Sequence, residues 1–99
     1  MMNTIETTDV FDDWLNALTD LRGRTKIQVR IDMAEAGNFG DCAAVGEGVS
    51  EMRIHYGPGY RVYFKRTGMT IYLLLAGGDK STQKQDIKAA QHMARELGV

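Results

Sequence analysis

With a single cysteine, Cys42, this chain has no internal disulfide. Its two histidines, His55 and His92, are too few to complete a zinc site with that thiol, so neither a metal nor a cofactor is expected. Cys42 itself reads as a small buried hydrophobe rather than a nucleophile. No apolar run approaches the roughly 18 residues that a membrane span requires. The longest stretch, from Met69 to Ala76, is interrupted by Thr70. The start, Met1 to Thr8, has no basic patch followed by an apolar stretch, so no secretory signal is expected and the expected location is cytoplasmic. Internal repeats, low-complexity tracts and linkers are also missing. Lys and Arg, at 12, do not outnumber Asp and Glu, at 13. The net charge of -1 excludes a uniformly basic nucleic-acid binder.

What is present is segregated. The first twenty residues hold Glu6, Asp9, Asp12, Asp13 and Asp20 and no base, so all twelve bases lie in the remainder, against eight acids. A basic face can therefore coexist with a nearly neutral total. With 43% hydrophobic and 25% charged residues over 99 positions, the chain predicts one globular domain, 1–99, with one core.

Asn3 to Thr7 offers a short first strand. From Thr8 or Asp9, either a competent N-cap, Phe11, Trp14, Leu15 and Leu18 recur at helical spacing and mark a core-facing stripe. A second helix is predicted from Arg22 to Ala36, with Ile27, Ile31 and Ala34 inward and a stop at Gly37-Asn38. Its outer side carries Arg22, Lys26 and Arg30 at intervals of four, a stripe that suits either a solvated face or an RNA-binding one. Strands follow at Cys42 to Val45, Val49 to Tyr56, Tyr60 to Lys65 and Thr70 to Ala76, the last apolar enough to be covered on both sides. Gly77-Gly78 precedes Lys80 but lacks the Walker spacing, so no nucleotide loop is expected. Thr82-Gln83-Lys84-Gln85 fits a capping box for a last helix with Ile87, Ala90, Ala94 and Leu97 inward. Helices segregated from a strand meander predict an α+β layer pair.

Two strands carry the chemistry. Side chains alternate across a strand, so Met52, Ile54 and Tyr56, then Tyr60, Val62 and Phe64, share an apolar face. Glu51, Arg53 and His55, then Arg61, Tyr63 and Lys65, share the other. Gly57-Pro58-Gly59 between them folds the strands back antiparallel and turns two rows into one patch. An ordinary antiparallel sheet also has one wet face. Here, however, a single acid opposes three bases and an imidazole, a set able to hold phosphates and move protons. Tyr63 serves either that patch or the packing of the sheet. The reactive face is expected to stay free while helices seal the opposite one.

Four motifs carry a family resemblance: Gly37-Asn38-Phe39-Gly40-Asp41, Val45-Gly46-Glu47-Gly48-Val49-Ser50-Glu51-Met52-Arg53-Ile54, Gly57-Pro58-Gly59-Tyr60-Arg61-Val62-Tyr63, and Leu74-Leu75-Ala76-Gly77-Gly78-Asp79-Lys80-Ser81-Thr82-Gln83 before Asp86-Ile87. With Phe11 and Trp14-Leu15 they span nearly the whole chain, which resembles the RelE/ParE toxin superfamily and, within it, the HigB-like addiction-module killers. The resemblance implies a RelE-like α+β fold, two N-terminal helices and a C-terminal helix packed on a mainly antiparallel twisted sheet of four or five strands. It also implies the toxin of a type II toxin-antitoxin system, a ribosome-dependent mRNA endonuclease that halts translation. Its implied partners are the ribosome and mRNA, a cognate helix-turn-helix antitoxin, and operator DNA through that antitoxin.

Carried over by position, Arg53 and His55 stand where the family has its basic strand pair. Arg61 matches the arginine after the Gly-Tyr pair, and Lys80 the base beyond the final strand. In the implied cleavage His55 is the base or acid, with Tyr63 in reserve. Arg53 and Arg61 clamp the scissile phosphate, and Lys80 and Lys65 hold flanking ones. Arg66, Lys84, Arg22, Lys26 and Arg30 are further RNA-binding candidates. Several family members place a Tyr or His early in the last helix, where this chain has Gln83, Lys84, Gln85 and Asp86. That departure leaves two other outcomes open: a non-enzymatic gyrase inhibitor resembling the ParE branch, and a degenerate toxin that only binds its antitoxin.

Overall fold

A computed structural model describes residues 2–99. The elements run β1 (Thr4–Thr7), α1 (Asp9–Ala17), α2 (Leu21–Glu35), β2 (Cys42–Gly46), β3 (Val49–Ile54), β4 (Tyr60–Arg66), β5 (Ile71–Asp79), a single 3-10 turn (Lys80–Thr82) and α3 (Gln83–Leu97). The strands form one mixed sheet in the order β1-β5-β4-β3-β2, with β1 parallel to β5 and the three other pairings antiparallel. The fold is α+β, as the element order predicts.

Capping fixes the helix starts. Thr8 Oγ accepts from the Phe11 amide and donates to the Leu75 carbonyl, so one side chain both begins α1 and ties it to β5. Asp20 caps α2 by accepting from the Gly23 amide, and its second oxygen accepts from the buried Tyr60 hydroxyl at 2.8 Å. These bonds hold the Asp20 carboxyl below its ordinary value, and burial beside that carboxylate pushes the Tyr60 phenol up to about 12. The capping box predicted for α3 does not form. Thr82, the N-cap residue, donates instead to the Asp86 side chain at 2.6 Å and makes no capping bond to the first turn.

The main core lies between α1, α2 and one sheet face, with Phe11, Ile27 and Ile31 against Met52, Ile54, Tyr60, Val62, Phe64 and Leu74. This is the apolar set that the alternation predicts. Gly77 of β5 is needed here, because a Cβ at that position would overlap the Trp14 ring of α1.

The other face is not free. α3 lies across it, and Ala90 and Ala94 pack on Val49, Tyr63 and Leu75 in a second cluster. The physical reason is that Val49 and Leu75 project apolar surface on that side, and alanines let a helix approach closely enough to cover it. Gly78 contributes too, since a Cβ there would overlap the Asp86 carboxylate of α3. Leu97, assigned to the inward stripe, is about half exposed. Cys42 is also exposed, on the edge strand β2, rather than buried. No helix among the described residues is long and apolar enough to cross a membrane.

Candidate phosphate cleft

Arg53 and Arg61 are direct cross-strand neighbours in the β3–β4 register. Two like charges so placed repel, and the structure answers with a buried acid. Glu51, one strand turn before Arg53 on the same face, is 0% exposed. Its Oε2 lies 3.1 Å from Arg53 Nε and its Oε1 3.4 Å from Arg61 Nε. Gln83 Nε2 donates to the same Oε1 at 2.7 Å, and the Tyr63 hydroxyl approaches it at 3.4 Å. The first residue of α3 is thereby linked to the arginine pair.

The network continues outward. Arg53 Nη1 lies 3.7 Å from Asp41 Oδ1, and Asp41 Oδ2 pairs with His55 Nε2 at 2.5 Å. The bond from His55, then the charges of Arg53 and Arg30, hold the Asp41 carboxyl below its ordinary value. Acidic and basic side chains alternate from the buried Glu51 through Arg53 and Asp41 to a His55 side chain that is 71% exposed. With Nε2 engaged by Asp41, His55 keeps Nδ1 for other chemistry.

Arg61 is unusual. Its residue is only 8% exposed, yet the one hydrogen bond its side chain makes among the described residues is from Nη1 to the Gly59 carbonyl, at 3.3 Å. Nε makes an ionic contact with Glu51 whose geometry falls short of a hydrogen bond. A guanidinium with five donors is thus left largely unspent. It opens on a cleft of about 340 Å³ that His55, the Gly57-Pro58-Gly59 turn and Lys80 also line. Gly57 and Gly59 both have positive φ, and a side chain at Gly59 would enter the cleft between Arg61 and Lys80. Lys80 is exposed and forms no ion pair among the described residues.

His55, Arg61 and Lys80 therefore line one cleft, and Arg53, which does not line it, adjoins them through its register with Arg61 and its contacts with Glu51 and Asp41. Tyr63 does not join them as a proton carrier. It is fully buried under α3, and burial together with the Glu51 charge pushes its phenol well above the ordinary value. Lys65 lies at the far end of β4, where its Nζ donates to the Val99 carbonyl at 2.7 Å. Arg66 folds over the next turn onto the Gly68 and Met69 carbonyls. Arg30 is spent on structure, bonding the carbonyls of Arg53, Phe39 and Asp41. Lys84 shares with Lys80 a neighbouring hollow at the start of α3. Arg22 is exposed at the start of α2, and Lys26 stands over the Tyr56 ring. Sequence reasoning missed Asp41, noted only as the end of the Gly37-Asn38-Phe39-Gly40-Asp41 motif, and Glu51, taken as the lone acid of a basic patch. For Glu51 the signal was its place two residues before Arg53 on one strand face.

No known family model matches the chain. It is 50% identical over 95 residues to a Haemophilus influenzae protein named only "Uncharacterized protein", an alignment that covers 96% of each chain.

Proposed function

This chain belongs to one family with the Haemophilus influenzae protein, and from the resemblance carried by its sequence motifs, together with the geometry of its cleft, we propose that it is a RelE-like toxin of a type II toxin-antitoxin system, an endoribonuclease that cuts mRNA on the ribosome. The observation that carries this reading is Arg61, nearly buried, short of hydrogen-bond partners, and facing the same cleft as His55 and Lys80. Such a site suits a phosphodiester. His55 Nδ1 takes the proton of a ribose 2'-hydroxyl, and the 2'-oxygen forms a bond to phosphorus. The bond to the 5'-oxygen breaks, and that oxygen takes a proton from Lys80 or from water. Arg61 and the exposed side of Arg53 stabilise the charge that builds on the phosphoryl oxygens. The products are a 2',3'-cyclic phosphate and a 5'-hydroxyl, and the nucleophile belongs to the RNA itself.

In this reading the protein acts in the cytoplasm and is neutralised by a cognate helix-turn-helix antitoxin, which alone contacts operator DNA. The test is to incubate the protein with programmed ribosomes and map mRNA ends. We expect new cuts in the decoding site, reduced about 10²-fold or more by His55→Ala, an exposed change that leaves the fold intact. Absence of cuts at high protein excess refutes the reading. Arg61→Ala is a less clean probe, because it also removes one of the two guanidiniums that face the buried Glu51 carboxylate.

One observation favours a second reading. With Tyr63 buried and Gln83 turned toward Glu51, His55 is the one imidazole among the residues lining the cleft. A non-enzymatic ParE-like gyrase inhibitor, or a degenerate toxin that only binds its antitoxin, needs no second proton carrier. Induction that triggers DNA damage signalling with translation intact supports the first of these. Induction without any effect on growth supports the second.

A further inference from the structure

A second hollow, of about 460 Å³, opens on the other side of His55 and Tyr56, against the outer side of α2. His55 and Tyr56 line both hollows, so a strand held by its phosphate at Arg61 and Lys80 has its adjoining group beside this one. The two differ in chemistry. Charged side chains and the Gly57-Pro58-Gly59 turn wall the phosphate cleft, whereas the second sets the apolar Val29 and Ile54 beside Lys26, Arg30 and the shared Tyr56 ring. Tyr56 is half-buried and packed on the main core, which makes its ring a fixed surface. Val29, in the middle of α2, is 50% exposed. Lys26, from the same helix, places its Nζ 5.1 Å from the Tyr56 ring centroid.

A flat aromatic body with polar edges uses all of these features. Its π-face takes the place over the Tyr56 ring that the exposed Lys26 side chain covers in this structure. Its body covers Val29 beside the nearly buried Ile54, and its edge accepts from the displaced Lys26 ammonium. A sugar or a second phosphate leaves Val29 uncovered and finds Arg30 already spent on backbone carbonyls, and a purely aliphatic group leaves the ammonium without a partner. The geometry points to a nucleobase subsite in this hollow, which takes the base flanking the phosphate held by Arg61 and Lys80. Tyr56 is its stacking surface and Lys26 its edge donor. The inference rests on the proposed ribonuclease reading for the position of that phosphate, and it assigns Lys26 a contact with base rather than backbone.

The experiment measures affinity of the full chain for a non-cleavable 2'-O-methyl trinucleotide and for the same oligonucleotide with the central base removed. Loss of the base should weaken wild-type binding about tenfold. In Tyr56→Leu, which keeps apolar bulk against the core, the two oligonucleotides should bind within about twofold of each other. Lys26→Ala, on the exposed helix surface, carries the test if the first variant fails to fold, and should cut base dependence by about two- to fivefold. Equal wild-type binding of both oligonucleotides, binding of neither, or full base dependence in Tyr56→Leu overturns the subsite. Base-dependent binding without mRNA cuts on ribosomes supports the subsite and overturns the ribonuclease reading. Cuts without base dependence do the reverse.

Discussion

Glu51→Gln probes the centre of the network. The amide keeps the shape of the side chain and an acceptor oxygen for Gln83, but it removes the negative charge between two guanidiniums. Arg61, 8% exposed, is then left without a counter-ion, its Nε 3.4 Å from a neutral oxygen. Breaking a buried pair in this way costs about 3–5 kcal/mol. The Arg53 contact, at 3.1 Å from a side chain that is 36% exposed, adds about 0–1 kcal/mol after solvent screening. Because the cleft lets water reach the Arg61 guanidinium, we expect a loss near the lower end, about 3 kcal/mol. For a domain whose total stability is about 5–15 kcal/mol, that is a large fraction. It corresponds to a fall in Tm of about 12–24 °C. In urea the midpoint should move down by about 1–3 M at unchanged slope. Calorimetry and urea unfolding followed by circular dichroism provide the measurement. The double variant Glu51→Gln/Arg61→Met should recover most of the loss, because both charges are then gone. A single variant within 1 kcal/mol of wild type, or a double variant no more stable than the single, would refute the view that Glu51 serves as the counter-ion of Arg61.

Other outcomes follow from the same contacts. Tyr60 has its phenol raised to about 12 in the folded state against an ordinary 10, so its contribution is complete below pH 10 and is lost as pH rises from 10 to 12. Alkaline unfolding should therefore fall in that window, with phenolate absorbance from Tyr60 and Tyr63 appearing only as the chain unfolds. A phenolate signal from all tyrosines before unfolding would contradict it. Gly77→Ala forces a methyl into the Trp14 ring and should cost about 1–3 kcal/mol, read as a lower Tm with altered tryptophan fluorescence. Asp20→Ala removes the α2 cap and the partner of the buried Tyr60 hydroxyl together, so it should cost about 2 kcal/mol, more than a cap alone, in urea unfolding.

The periodicities of this chain set most of its fold. Alternation from Met52 to Phe64 and the 3.6-residue stripes of α1 and α2 name the main core, because each burial pattern is local to its own element. The turn at Gly57-Pro58-Gly59 brings Arg53 and Arg61 side by side for the same reason, since a hairpin pairs residues close in sequence. Which face α3 covers was not local. It depends on Val49 and Leu75, from strands that are not adjacent, projecting apolar surface on the side that also carries the arginines. That packing buries Tyr63, removes it from any proton transfer, and brings Gln83 onto Glu51. The residue types able to bind a phosphate can be read from the order of amino acids alone. Which of them face a common cleft, and which are spent on neighbouring carbonyls and carboxylates, only the tertiary structure decides, because hydrogen-bond partners distant in sequence compete for the same donors.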